Sequence, residues 1–236
     1  MTPLEVEALW LSLRVSLTSV AVSLVPGVAL AWLLARRSFR GKVLVEGLVY
    51  LPLVLPPVAV GLLLLILFGR SGPVGRVLHG LFGIDIAFTW KAAALASAVM
   101  AFPLLVRAIR LSFEAVDARL PAAARTLGAS RARVFVTVTL PLIAPGLIAG
   151  SILAFARGLS EFGATMTFAA NIPGETRTLP LAIHALAMTP GGESGALRLC
   201  VLSLVVALVA LAASEVRARR ATARVLGRAW SASSCL

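Results

Sequence analysis

Arg157 and Glu161 stand four residues apart at the end of a long uncharged run, and their types and spacing are the plainest invitation to chemistry in this chain. On a helix, residues i and i+4 share a face, so the two can pair. An intramembrane ion pair normally faces the interior of a helix bundle. The residues alone allow a structural clamp, part of a gate, or a titrating Glu161 in an ion-coupled carrier. Ser160, Gly163, Ala164 and Thr165 surround the acid as a small-residue face, which lets helices pack closely across a subunit interface or around a narrow pore. Phe162 is placed to plug it. Arg157, Ser160, Glu161, Phe162, Gly163 and Thr165 are therefore the candidate pathway and gate. No fixed anion site is assigned among them, because tight binding at the midplane would slow release.

Other chemistries lack their parts. A phosphate loop needs Gly-x-x-x-x-Gly-Lys-Ser/Thr, and the chain's one Gly-Lys, Gly41-Lys42, has Arg36 where the first glycine belongs. The chain is not expected to hydrolyse ATP itself. His79 and His184 have no companions at metal-ligand spacing, so no metal site is expected. Cys200 and Cys235 form neither a disulfide framework nor a Cys-x-x-Cys pair. An enzyme acting on lipid is disfavoured for want of a catalytic acid, base or metal cluster.

The elements that must position these residues are membrane helices. Of 236 residues, 59% are hydrophobic, and the mean hydropathy of +0.97 exceeds what one soluble core of this size could bury. Uncharged runs at Val15–Ala35, Gly47–Gly69 and Val134–Ala156 are each long enough to cross about 30 Å of hydrocarbon. Ile86–Val106 contains only Lys91 and Gly195–Ser214 only Arg198, each near an end from which it can snorkel to the headgroups. Pro52, Pro56, Pro57 and Gly61 predict a kink in the second span. Thr178–Gly192 is uncharged but short and broken by Pro180, Pro190 and Gly191-Gly192, which favours a half-helix over a sixth crossing. The expected fold is an all-α integral membrane protein of about five transmembrane helices, possibly six, in one domain over residues 1–236. The opening MTPLEVE lacks the basic start of a secretory signal, so the first span reads as retained. Arg70–Asp85 reads as a Gly-rich loop and 217–236 as a basic cytoplasmic tail that ends disordered.

Charge orients the bundle. The formal net charge of +12 would suggest nucleic acid for a soluble protein, but its distribution follows the spans. Arg36, Arg37, Arg40 and Lys42 follow span one; Arg107, Arg110, Arg119, Arg125, Arg131 and Arg133 flank the centre; Arg217, Arg219, Arg220, Arg224 and Arg228 follow span five. With five spans these 15 of the 22 Lys and Arg share one side, which the positive-inside rule makes cytoplasmic, with the N-terminus outside. A sixth crossing would split them. No nucleic-acid partner is expected.

The central segment 120–141 is the polar exception. Pro121 suits a first helical turn, and Ala122, Ala123, Ala124 and Arg125 are good helix formers. Gly128 can stop that helix and Ser130 can cap the next, which begins at Arg131 and runs into the fourth span. Ala123-Ala124, Leu127-Gly128-Ala129-Ser130, Phe135 and Leu140-Pro141 resemble the coupling-helix signature of ABC importer permeases. The acid that usually precedes the Ala pair is missing at Pro121 and Ala122, with Glu114 and Asp117 the nearest substitutes. Phe155–Leu197, with EFGATMTFAANIPGETRTLP and TPGGESGA, and the run LPLVLPPVAVG at Leu51–Gly61 resemble the permeases of molybdate importers. Sulfate and tungstate permeases share the Glu-Phe-Gly element.

The resemblance implies a homodimer that carries the pathway and works by alternating access in a bacterial or archaeal cytoplasmic membrane. Two cytoplasmic ATPase subunits would dock on Ala122, Ala123, Ala124, Arg125, Leu127, Gly128, Ala129 and Ser130. ATP and Mg would be bound by those partners, with no cofactor in this chain. An extracytoplasmic molybdate-binding protein would meet the outer-face residues Asn171, Gly174, Glu175, Arg177 and Glu193, which otherwise form a solvated loop.

Overall fold

The structure, a computed structural model, describes residues 3–209 and 212. The basic cluster Arg217–Arg228, the tail 217–236, Cys235 and the end of the predicted fifth span lie outside the described residues. The described residues contain helices and no strand.

Three long helices form the frame. They are α1 (Pro3–Arg36), α5 (Trp90–Ala115) and α8 (Leu140–Leu159), the last continuous with α7 (Arg131–Val134) through a π-helical stretch at Phe135–Thr139. Pro3–Arg36, Trp90–Ala115 and Arg131–Leu159 are each long and apolar enough to cross a membrane. Helix α1 starts twelve residues before the predicted run and, at 34 residues, is about 51 Å long.

In lipid, helices gain little by burying apolar side chains against one another, so close backbone approach between small residues must hold the frame together. The contacts show this. Ser12, Ser16, Ser19 and Ser23 form a buried stripe on α1. Gly158 of α8 meets Ser19 and Ser97, and Gly150 lies against Leu105 and Ala108 of α5. Ser97 Oγ donates to the Gly158 carbonyl at 3.4 Å. Two apolar clusters flank this belt. One gathers Leu11, Val15, Val60, Leu64 and Phe168, the other Leu34, Leu105, Ile109, Phe113 and Ile143.

The second predicted span is not one helix. It is α2 (Lys42–Val54) and α3 (Pro57–Phe68), bent by 115°. Pro56 and Pro57 carry no N–H for the ladder, and a residue before proline is pushed to extended backbone, as Leu55 is at φ −72° and ψ 144°. The expected kink is thus a full break. Helix α2 packs on α5, with Glu46 paired to Arg110 at 2.8 Å, while α3 packs on α9 (Gly163–Phe168). The expected loop Arg70–Asp85 contains a helix, α4 (Pro73–Phe82), started by proline and closed by Gly83 at φ +63°. Thr178–Gly192 contains α10 (Leu179–Ala187), whose nine residues span about 14 Å, half of a hydrocarbon core. Residues 193–209 are helical. Arg198, expected to snorkel to headgroups, instead reaches Glu5 at 3.2 Å.

Candidate functional site

The segment around Ala122–Ser130 forms α6 (Arg119–Thr126), starting two residues before the predicted Pro121, with Asp117 Oδ1 accepting the Arg119 N–H at 2.9 Å. Asp117 therefore serves the helix start, and Glu114 is engaged by Arg110 at 2.7 Å. Gly128, at φ +85°, closes the helix: its N–H donates to the Arg125 carbonyl and the Ala129 N–H to that of Ala124. This pair of bonds is the Schellman cap, and glycine suits it because the left-handed region carries no Cβ penalty there. Ser130 Oγ then accepts the Arg133 N–H and starts α7. Helix α6 has no buried residue, and Leu127 is 88% exposed. Helix α6 thus presents a capped, largely exposed surface at this end of the bundle.

Four arginines gather at this end of the bundle. Arg36 Nη2 donates to the Val116 carbonyl at 2.7 Å, tying the ends of α1 and α5, while Arg37, Arg125 and Arg131 border one trough. The first two basic clusters of the sequence therefore share an end.

The ion pair forms, but not on one helix face. Helix α8 ends at Leu159, Ser160 is its C-cap, and Glu161 lies in the break before α9. Arg157 Nη1 reaches back across the helix end to Glu161 Oε2 at 2.6 Å, and Glu161 Oε1 accepts the Ala164 N–H at 2.9 Å. Glu161 thus holds α8 and α9 together. Its side chain is 1% exposed, whereas that of Arg157 is 25% exposed.

The small residues after it pack inside the chain. A Cβ on Gly61 would lie 2.6 Å from the Ala164 carbonyl oxygen, and one on Gly163 would lie 2.9 Å from Pro57 Cβ. Ala164 and Thr165 are buried against α3 and its neighbours, so this face serves the α3–α9 contact. Of the six candidate gate residues, Ser160 and Phe162 border a cavity of about 700 Å³ between α8, α10 and residues 203–207; Arg157, Glu161, Gly163 and Thr165 do not. The other walls include Phe155, Leu159, Ile183 and Leu204. Phe162 stands edge-on to His184, ring centres 5.1 Å apart. His184 had no sequence partner to flag it, because the contact joins α10 to the α8–α9 break.

The turn from Asn171 to Arg177, expected on the outer face, lies beside the start of α1, at the end opposite Arg36. Arg177 Nε donates to Asn171 Oδ1 at 2.8 Å, and Gly174, at φ +80°, sits by Glu7. Glu175 and Glu193 are exposed.

Residues 27–222 match the family described as binding-protein-dependent transport system inner membrane component. The chain belongs to that family: it is a membrane permease subunit of the ABC importer type and not an enzyme. It is 58% identical over 219 residues to the molybdenum transport system permease protein ModB of Escherichia coli strain K12, covering 93% of this chain and 96% of that one. ModB of Haemophilus influenzae is 52% identical, covering 92% and 95%. The sulfate transport system permease protein CysW of Synechococcus elongatus is 36% identical, covering 75% and 62%. Among solved structures, a bacterial ABC transporter that imports alginate has a TM-score of 0.71 at 18% identity, covering 93% of this chain and 80% of that one. The MetNI methionine ABC transporter gives 0.69 at 17% identity, covering 94% and 99%. Both share the fold.

Proposed function

We propose that this chain is the permease subunit of an ATP-driven molybdate importer of the bacterial cytoplasmic membrane. Two copies form the pathway, and residues 120–141 of each couple it to a cytoplasmic ATPase subunit that binds ATP and Mg. The observation that carries the coupling role is α6, a helix capped at both ends, with no buried residue and Leu127 exposed. Its apolar surface suits a cleft on a soluble partner. Molybdate is favoured over sulfate because the likeness to the ModB chains runs over nearly the whole length, with 58% identity against 36% for the sulfate permease.

In this reading ATP binding draws the two ATPases together, α6 moves with them, and α7, the π stretch and α8 carry the displacement to Ser160 and Phe162 beside the cavity. The change is a nucleotide-driven shift between pathway states open to opposite sides. At the other end, Glu175 and Glu193, with the Asn171–Arg177 turn around Gly174, receive a binding protein that releases the oxyanion. Glu161 serves as a fastener, since both its carboxylate oxygens are engaged within the chain.

Reconstitution tests this. The permease with its ATPase and binding protein in liposomes is expected to take up labelled molybdate only with ATP, and unlabelled sulfate in moderate excess is expected to leave that uptake intact. Uptake by the permease alone under a pH gradient, lost in Glu161→Gln, would overturn the reading in favour of an ion-coupled carrier.

A further inference from the structure

At the basic end of the bundle α1 and α8 enclose a trough of about 880 Å³. Its floor is apolar, built from Leu24, Val28 and Trp32 of α1 and Leu140 and Leu147 of α8. Its rim carries three guanidinium groups from three parts of the chain: Arg37 just past α1, Arg125 on α6 and Arg131 at the head of α7. No acidic residue borders it, and among the described residues none of the three arginines has an ion-pair partner. Arg37 lies over the Trp32 ring at 5.7 Å, where the indole gives the cation a weak partner.

We propose that this trough seats one anionic phospholipid of the leaflet on the basic side of the membrane, its phosphate among the three arginines and an acyl chain along α1 and α8. Length agrees. From Leu24 to Arg37 α1 rises through thirteen residues, about 20 Å, which matches about 15 Å of hydrocarbon in one leaflet plus the start of the headgroup layer. Charge selects the occupant. A zwitterionic lipid brings an ammonium group into a ring of cations, and an apolar protein helix leaves that ring without counter-charge. The chain's own end segment carries Arg217, Arg219, Arg220, Arg224 and Arg228 and is repelled by it. Because the rim joins α1 to α6, a seated lipid ties the exposed helix to the bundle and sets how freely it moves.

Native mass spectrometry of the complete transporter tests the assignment, with dioleoylphosphatidylglycerol or dioleoylphosphatidylcholine added at equal concentration. Phosphatidylglycerol is expected to be retained in preference to phosphatidylcholine. Arg37→Gln removes one of three attractions and is expected to weaken that retention about fivefold. Ala29→Trp fills the trough while leaving all three cations, and is expected to lower phosphatidylglycerol to the level of phosphatidylcholine. Both variants are compared with the parent in melting temperature, so that loss of lipid is read on folded protein. Equal retention of the two lipids, or retention unchanged in both variants, would overturn the proposal. So would displacement of phosphatidylglycerol by equimolar inorganic phosphate, which would make the rim a free-anion site.

Discussion

Arg157 and Glu161 differ by a single property that decides how each will respond to loss of the other: the carboxylate is sealed and the guanidinium reaches the protein's edge. Arg157→Ala strands a buried charge and is expected to destabilise by about 3–5 kcal/mol. Glu161→Gln keeps an oxygen for the Ala164 N–H, and the guanidinium it leaves behind can turn outward, so about 1–3 kcal/mol is expected. The double variant Arg157→Ala/Glu161→Gln should then be more stable than Arg157→Ala alone, a coupling that thermal or denaturant unfolding of the three purified variants would measure. A double variant no better than Arg157→Ala would disprove the pairing. The spacing in the sequence announced the pair, but the helix end between the two residues was hidden. Ser160 is the C-cap and Gly163 opens the next helix, and a helix pattern runs through both without a gap.

Two glycines show how elements depend on single positions for opposite reasons. Gly61 is fixed by proximity: any side chain there collides with the backbone of α9, so Gly61→Val should separate α3 from α9 and lower both melting temperature and folded yield. Gly128 has open space around it but a left-handed backbone. Gly128→Val should insert and fold while fraying the end of α6 at a cost of about 1–2 kcal/mol. Gly128→Asn, tolerant of that conformation, should restore function. ATP-dependent uptake is the readout for Gly128, and full activity in Gly128→Val would remove the cap from any part in coupling. The elements were legible in uneven measure. Helices α1 and α8 follow from uncharged runs and α5 from one interrupted only by Lys91, while the stop of α6 follows from Gly128 and the start of α7 from Ser130. The break at Leu55-Pro56 lies inside a run that hydropathy reads as continuous, because leucine, valine and proline are all apolar there. Helix α4 was concealed by its glycines, which suggest a loop until Pro73 and Gly83 are recognised as its start and stop.

At the scale of the whole molecule, the structure brings Arg36 to Val116 and Arg37 to the rim shared with Arg125 and Arg131, so topology and packing agree on which end is basic. With Cys200 and Cys235 replaced by alanine, a cysteine at exposed Ser38 is expected to react with a membrane-impermeant maleimide in inside-out vesicles and not in right-side-out ones. Labelling from the outside would invert the orientation. Neutralising Arg37, Arg40 and Lys42, while sparing Arg36 for its bond to Val116, should give mixed labelling as the charge bias weakens. The elbow at Leu55-Pro56 also bears on the electrical work of import. Pro56 and Pro57 leave the carbonyls of Pro52 and Leu53 without helical donors, and such backbone persists at membrane depth only against protein or water. A dianion moving toward a negative interior meets about 4.6 kcal/mol of opposition per 100 mV; were water to meet those carbonyls, the voltage would fall across a shorter dry stretch and the elbow would concentrate that opposition over fewer residues.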